Sequence, residues 1–232
     1  MGNKKLIVNL LFVGMLVCSQ LMAQQHSNTN RLAEGGDLYI ISNAHLDTQW
    51  SWTVETTIND FLPKTLDKNF ALFEKYPNFN FNFEGAIRYM FIKEYYPEKY
   101  EILKNYIAQG RWMPAGGSVD ANDVMVPSAE SIIRNFLYGQ HFFMQEFGVR
   151  GGRDIMLPDC FGFPHSLPTL GKHCGRDVFH TAKLAWGSSD YGKLQNYQRW
   201  RGVDGSEILG IFKSSPYDNH NGYLKDLAYD SD

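Results

Sequence analysis

The sequence predicts an α/β fold with a mainly parallel sheet. Short runs that are apolar or alternate apolar with polar, the mark of strands, take turns along the chain with stretches whose apolar residues recur every three or four positions, the mark of helices. Glycines and prolines stand at the changes of pattern. Two aspartates, Asp47 and Asp159, end two different predicted strands, and parallel α/β folds gather their chemistry at the carboxyl ends of strands.

The first strand is expected over residues 38–44, from an apolar run. Ile58, Phe61, Leu62, Leu66, Phe70, Phe73 and Tyr76 then mark one face of a helix, with Pro63 weakening its first half by removing a backbone donor. Phe79, Phe81 and Phe83 alternate with Asn80 and Asn82 as a strand that Glu84-Gly85 closes. Residues 86–109 return to helical spacing, split at Pro97 and stopped by Gly110. A strand over 111–115 leads through Gly116-Gly117 into a loop carrying Asp120 and Asp123. Ser128 is the expected N-cap of a helix that Gly148 ends. A strand over 154–158, a short helix capped by Ser166, a strand over 178–180 and a hairpin around Asp204-Gly205 complete the pattern.

The start of the chain reads differently. Lys4 and Lys5 precede a mainly apolar run over 6–18, and Ala23 offers a small residue before a cut, so residues 1–23 read as a secretory signal peptide. That run is shorter than the roughly 20 residues a membrane span needs. Residues 24–36 read as a flexible leader, and 37–232 as the folded part of the chain. Without residues 1–23, the 22 basic residues become 20 against 25 acidic ones, and the net charge of −3 becomes −5. No basic block follows the start, which argues against a nucleic-acid partner. An exported location is expected: periplasm, cell surface or extracellular space. Cys160 and Cys174 then allow one disulfide or two free thiols.

The stretch with the most chemistry is His45-Leu46-Asp47-Thr48-Gln49-Trp50. In an extended chain His45 and Asp47, two apart, point the same way. With Asp159 they offer an imidazole and two carboxylates on one rim, a donor set that suits a borderline divalent ion such as zinc. A closed site wants a fourth ligand; His165 and His220 are available, but neither position compels it. The aromatic share of 15% is core material first and also fits a cleft that stacks rings on sugar faces.

His45 to Trp50, taken with Leu157-Pro158-Asp159-Cys160-Phe161-Gly162 and Leu167-Pro168, closely resembles the glycoside hydrolase family 38 α-mannosidases. Gly110-Arg111-Trp112 with Gly116-Gly117, Pro127-Ser128 with Glu130-Ser131 and Leu137-Tyr138-Gly139-Gln140, and Trp200-Arg201-Gly202-Val203-Asp204-Gly205-Ser206 follow further blocks of that family. The resemblance covers about residues 38–212. It implies the family's N-terminal catalytic domain, a seven-stranded β/α barrel, and retaining hydrolysis of terminal α-linked mannose from a glycan. It also implies one Zn2+ per chain, with His45, Asp47 and Asp159 as ligands and Asp159 also as nucleophile. Trp50, Phe161 and Asp47 would bind the mannose. Apart from the resemblance, Lys183 downstream of Asp159 offers a positive charge near it, and its plainer reading is a surface lysine. The acid/base carboxylate and a further zinc-binding His are expected beyond residue 232. The 232 residues alone are therefore expected to be an N-terminal piece without turnover. Asp120 and Asp123 lie where family members carry acidic residues, and their plainer reading is a solvated turn. A metal-dependent polysaccharide deacetylase is the first alternative, although the chain lacks the H-x-x-x-H motif such an enzyme would use; a non-catalytic carbohydrate-binding protein is the second.

Overall fold

A computed structural model describes residues 42–185 and 197–212. The proposed signal peptide and leader, residues 38–41 of the first strand, and His220 lie outside the described residues. Strands and helices alternate in this order: β1 (Ser42–Ala44), α1 (Val54–Thr56), α2 (Leu62–Lys75), β2 (Phe81–Glu84), α3 (Ala86–Tyr95), α4 (Pro97–Ala108), β3 (Trp112–Ala115), α5 (Ala129–Phe147), β4 (Asp154–Met156), α6 (Leu167–His173), β5 (Val178–His180), β6 (Tyr197–Arg201) and β7 (Glu207–Ile211). Among the described residues, no helix is long and apolar enough to cross a membrane.

Local chemistry explains most boundaries. A π-helical turn, Thr57–Phe61, joins α1 to α2. Pro63 has no N–H to give the carbonyl four residues back, and the coil widens there, with the Leu62 N–H bonding Thr57 O instead. The buried face of α2 is Leu62, Leu66, Asn69 and Phe73, the expected helical spacing. Pro97 sits in the first turn of α4, where a missing donor costs nothing. Ser128 caps α5 by accepting from the Ser131 N–H at 3.2 Å, and Gly148 ends that helix with φ 69°. Ser166 does not do the same for α6. Its backbone is already helical and its hydroxyl makes no capping bond, so Pro168 in the first turn is what suits the chain to start there.

Strands β1, β2 and β3 form one parallel sheet in that order, and β4, β5, β7 and β6 form a second. All pairs are parallel except β6 with β7, which the hairpin turn makes antiparallel. The mainly parallel sheet expected from the sequence is therefore present, with seven described strands. Their pairings make two hydrogen-bonded sheets, and closure into a ring is not among them. The break between β3 and β4 has a local cause. The Gly152 N–H reaches Pro114 O at 2.9 Å, but Pro114 has no N–H to return. The Asp154 carboxylate accepts from the Gly116 N–H at 3.2 Å and stitches the two strands with a side chain instead. These contacts join the chain leading into β4 to the end of β3.

One apolar cluster lies around β1–β3 and the helices beside them, and another around β4, β5 and β7. Trp112, 1% exposed, anchors the first. Its ring meets Phe81 and Phe83 edge-on, and its Nε1–H donates to Tyr89 Oη at 2.9 Å. The Tyr89 hydroxyl in turn donates to Phe83 O at 2.8 Å, so both buried polar groups are satisfied.

Candidate active site at the carboxyl edge of the strands

Parallel strands deliver their next residues to the same edge, and here most of those residues are charged. β1 is followed by His45 and Asp47, β2 ends in Glu84, β3 leads to Asp120, β4 to Asp159 and β5 to Lys183. The loops after β4 and β5 are tied together by the Ala182 N–H donating to Pro158 O at 3.3 Å.

His45 and Asp47 do face the same way: Nε2 and Oδ1 are 3.3 Å apart. On its other side the imidazole Nδ1 bonds the Glu84 carboxylate. Burial acts most strongly to lower the His45 pKa, but the hydrogen bond and charge of Glu84, helped by Asp47, outweigh it and raise the value above the usual one. Asp159 is paired with Lys183, whose Nζ stands 2.5 Å from Oδ1. The Lys183 side chain is 8% exposed, and burial lowers its pKa while the negative charge of Asp47 opposes that. Lys183 therefore feels both aspartates and links the two halves of the rim. Its ammonium also lies 5.0 Å from the centre of the Phe161 ring, in reach of a cation–π contact.

Two aromatic side chains stand out of the core. Trp50 is 74% exposed and Phe161 84%. Both rings lie next to the charged residues of the rim in sequence, Trp50 three residues after Asp47 and Phe161 two after Asp159. Trp50 leans edge-on against Trp52 at 5.6 Å, and Trp52 is fixed by its indole N–H donating to Thr57 Oγ1 at 2.8 Å.

Asp120 has a different position from a free acid. Arg88 Nη1 donates to its Oδ1 at 2.8 Å, and Thr48 Oγ1 donates to its Oδ2 at 2.6 Å. Arg88 is buried, and its Nε donates to Leu46 O at 2.6 Å, so Asp120 and Arg88 together clamp the His45–Thr48 turn. Asn135 on α5 fixes the Asp120 loop in turn. Its side chain accepts from the Val119 and Asp120 N–H groups and donates to Asp120 O at 2.9 Å. Gly139, one turn on, lets α5 lie against Ser118; a Cβ there would come within 2.3 Å of Ser118 backbone. Asp123 accepts from the Met125 N–H within its own turn, which matches the solvated-turn reading.

Both cysteines are free thiols. Cys160 is buried and its Sγ–H donates to Asn122 O at 3.2 Å; burial first, then the charges of Glu84, Asp123, Asp120 and Asp47, push its pKa up to about 12. His165 is exposed and is not brought to the rim by any described contact. Among the described residues, no three His, Cys, Asp or Glu side chains converge as a ready-made metal cluster. The donors nevertheless suit a divalent ion: an imidazole beside a carboxylate, a second carboxylate behind the imidazole, and a third on the same edge. The sequence reading missed Glu84, Arg88, Thr48 and Asn135. Glu84 carried a usable signal, since it closes a strand at the same edge as Asp47 and Asp159.

A parallel α/β domain with carboxylates and exposed aromatic rings along its strand ends is the kind of scaffold on which glycoside hydrolases are built. The model of the glycosyl hydrolases family 38 N-terminal domain matches residues 36–230, and the chain belongs to that family. It is 31% identical over 214 residues to alpha-mannosidase G of Dictyostelium discoideum, covering 92% of this chain and 19% of that protein. It is 32% identical over 175 residues to human alpha-mannosidase 2C1, covering 75% and 16%. Among solved structures, an alpha-mannosidase from Enterococcus faecalis V583 superposes with a TM-score of 0.64 at 26% identity, over 74% of this chain and 19% of that one. The chain is thus homologous to α-mannosidases, and it spans about a fifth or less of the length of these relatives.

Proposed function

We propose that this domain carries the nucleophile-bearing and metal-binding half of an α-mannosidase active site, and that the whole protein hydrolyses terminal α-linked mannose with retention of configuration. The observation that carries the proposal is the rim itself. His45 and Asp47 lie side by side and Asp159 stands against Lys183, in a chain of family 38. The seven-stranded barrel, the zinc ion and an exported location belong to the same proposal.

Retaining hydrolysis needs a carboxylate nucleophile on one face of the scissile bond and an acid on the other, about 5–5.5 Å apart. Asp159 is the proposed nucleophile. One of its oxygens bonds to the anomeric carbon as the leaving oxygen departs with a proton, and water then breaks that ester. Lys183 balances the Asp159 charge and holds the carboxylate in place. Trp50 and Phe161 stack on the apolar faces of the sugar and shed water from it. Asp47 accepts hydrogen bonds from sugar hydroxyls. His45, Asp47 and Asp159 would hold the zinc, which when bound supplies positive charge and a fixed template for the sugar. Asp120, with both oxygens engaged, serves as a clamp and not as the acid.

The anomer released first separates this proposal from its rivals. Proton NMR of the whole protein acting on an aryl α-mannoside is expected to show α-mannose before mutarotation. Initial β-mannose would contradict a covalent Asp159 intermediate, and release of acetate from an acetylated glycan without cleavage would favour the deacetylase reading.

A further inference from the structure

Glu84 is 1% exposed. A carboxylate taken out of water costs several kcal/mol unless its charge is paired, so its burial calls for a reason. The main chain puts it there. β1 and β2 are parallel with Ala44 opposite Phe83, and His45 and Glu84 are the residues that follow these two. The sheet register therefore brings the carboxylate to the imidazole before any side chain is chosen. Oε1 bonds His45 Nδ1, while Oε2 is buried with no hydrogen-bond partner among the described residues. Arg88, the nearest buried cation along the chain, gives its hydrogen bonds to Leu46 O, Glu84 O and Asp120, and makes none to the Glu84 carboxylate.

That arrangement is poor as a structural device. A neutral amide or hydroxyl would hold one ring nitrogen with less desolvation. It suits a role in which charge on one side of an imidazole matters to what happens on the other. A carboxylate that accepts from Nδ1–H leaves the lone pair of the neutral ring on Nε2. Nε2 is the nitrogen that faces Asp47, at 3.3 Å. We infer that Glu84 is a positioning residue for the metal centre: it fixes the tautomer and ring orientation of His45 so that Nε2, beside Asp47, is the donor offered to a divalent cation. The negative charge also makes that nitrogen a better donor. The inference rests on the metal-dependent reading given above, and it adds a residue that neither His45 nor Asp47 can replace.

The test uses the wild-type protein with Glu84→Gln and Glu84→Leu. Zinc affinity is measured by competition with a chromophoric chelator, and the His45 tautomer by nitrogen-15 NMR of the ring. At a pH where the ring is neutral, wild type is expected to show Nδ1–H. Glu84→Leu is expected to shift the proton to Nε2 and to weaken zinc binding toward about 100-fold; Glu84→Gln, which keeps an acceptor and loses the charge, is expected to weaken it about 10-fold. Circular dichroism and thermal melts check the fold, and the near-isosteric Gln variant serves if the Leu variant unfolds. A folded Glu84→Gln with wild-type affinity, or an Nε2–H tautomer in the wild type, overturns the role of Glu84 while leaving zinc binding intact. A wild type that binds no zinc overturns the metal reading itself, and the role of Glu84 falls with it.

Discussion

Asp159→Asn is expected to reduce α-mannoside cleavage by the whole protein on the order of 10³-fold or more, the scale seen when a covalent catalyst loses its nucleophile. The substitution keeps shape and removes charge. A neutral amide cannot displace the leaving group, and among the described residues Asp47 is beside His45 and Asp120 is held by Arg88 and Thr48. The variant also strips Lys183 of its ion pair. Because Lys183 is only 8% exposed, some loss of stability comes with the loss of turnover. Adding Lys183→Met to Asp159→Asn should restore that stability and leave turnover absent. Rescue of the rate in the double variant would show that Asp159 mattered only as a counterion.

Trp112→Ala is expected to lower the unfolding free energy by about 3–5 kcal/mol, read as a shift of the urea midpoint with little change in slope. Trp112 is among the largest fully buried side chains, and its ring touches aromatic neighbours from both β2 and α2. Alanine would leave a cavity that the sheet cannot close, because Phe81 and Phe83 are held in register with β3. Trp112→Phe separates volume from polarity. It keeps most of the ring and loses the hydrogen bond to Tyr89, for an expected cost of about 1 kcal/mol from that bond. A loss below about 1 kcal/mol for Trp112→Ala would mean that the first cluster does not hold the domain together.

Much of this was legible in the sequence because the signals were local. The buried face of α2 follows the helical period, Pro97 separates α3 from α4, and Asp204-Gly205 turns the hairpin back on itself. The candidate edge was open to inference for a different reason. Parallel strands all end at the same side, so Asp47 and Asp159, more than a hundred residues apart, were expected together before any contact was known. What the sequence hid depends on contacts distant along the chain. Asn135 grips the Asp120 loop from the middle of a helix, and Arg88 reaches a carbonyl 42 residues away. Neither has a spacing that announces it. Ser166 shows the converse, since a residue type that favours capping is idle where the backbone has already turned helical. Glu84 fell between these cases: its strand was read, but its partner His45 follows the neighbouring strand β1, and the pairing of β1 with β2 brings them together.

If His45, Asp47 and Asp159 surround one divalent ion, metal analysis of the purified wild type beside His45→Ala and Asp159→Asn will show it. About one equivalent of zinc is expected in the wild type and almost none in either variant, with all three folded. A folded wild type that holds no zinc after exposure to the ion, or variants that keep the full equivalent, would contradict it.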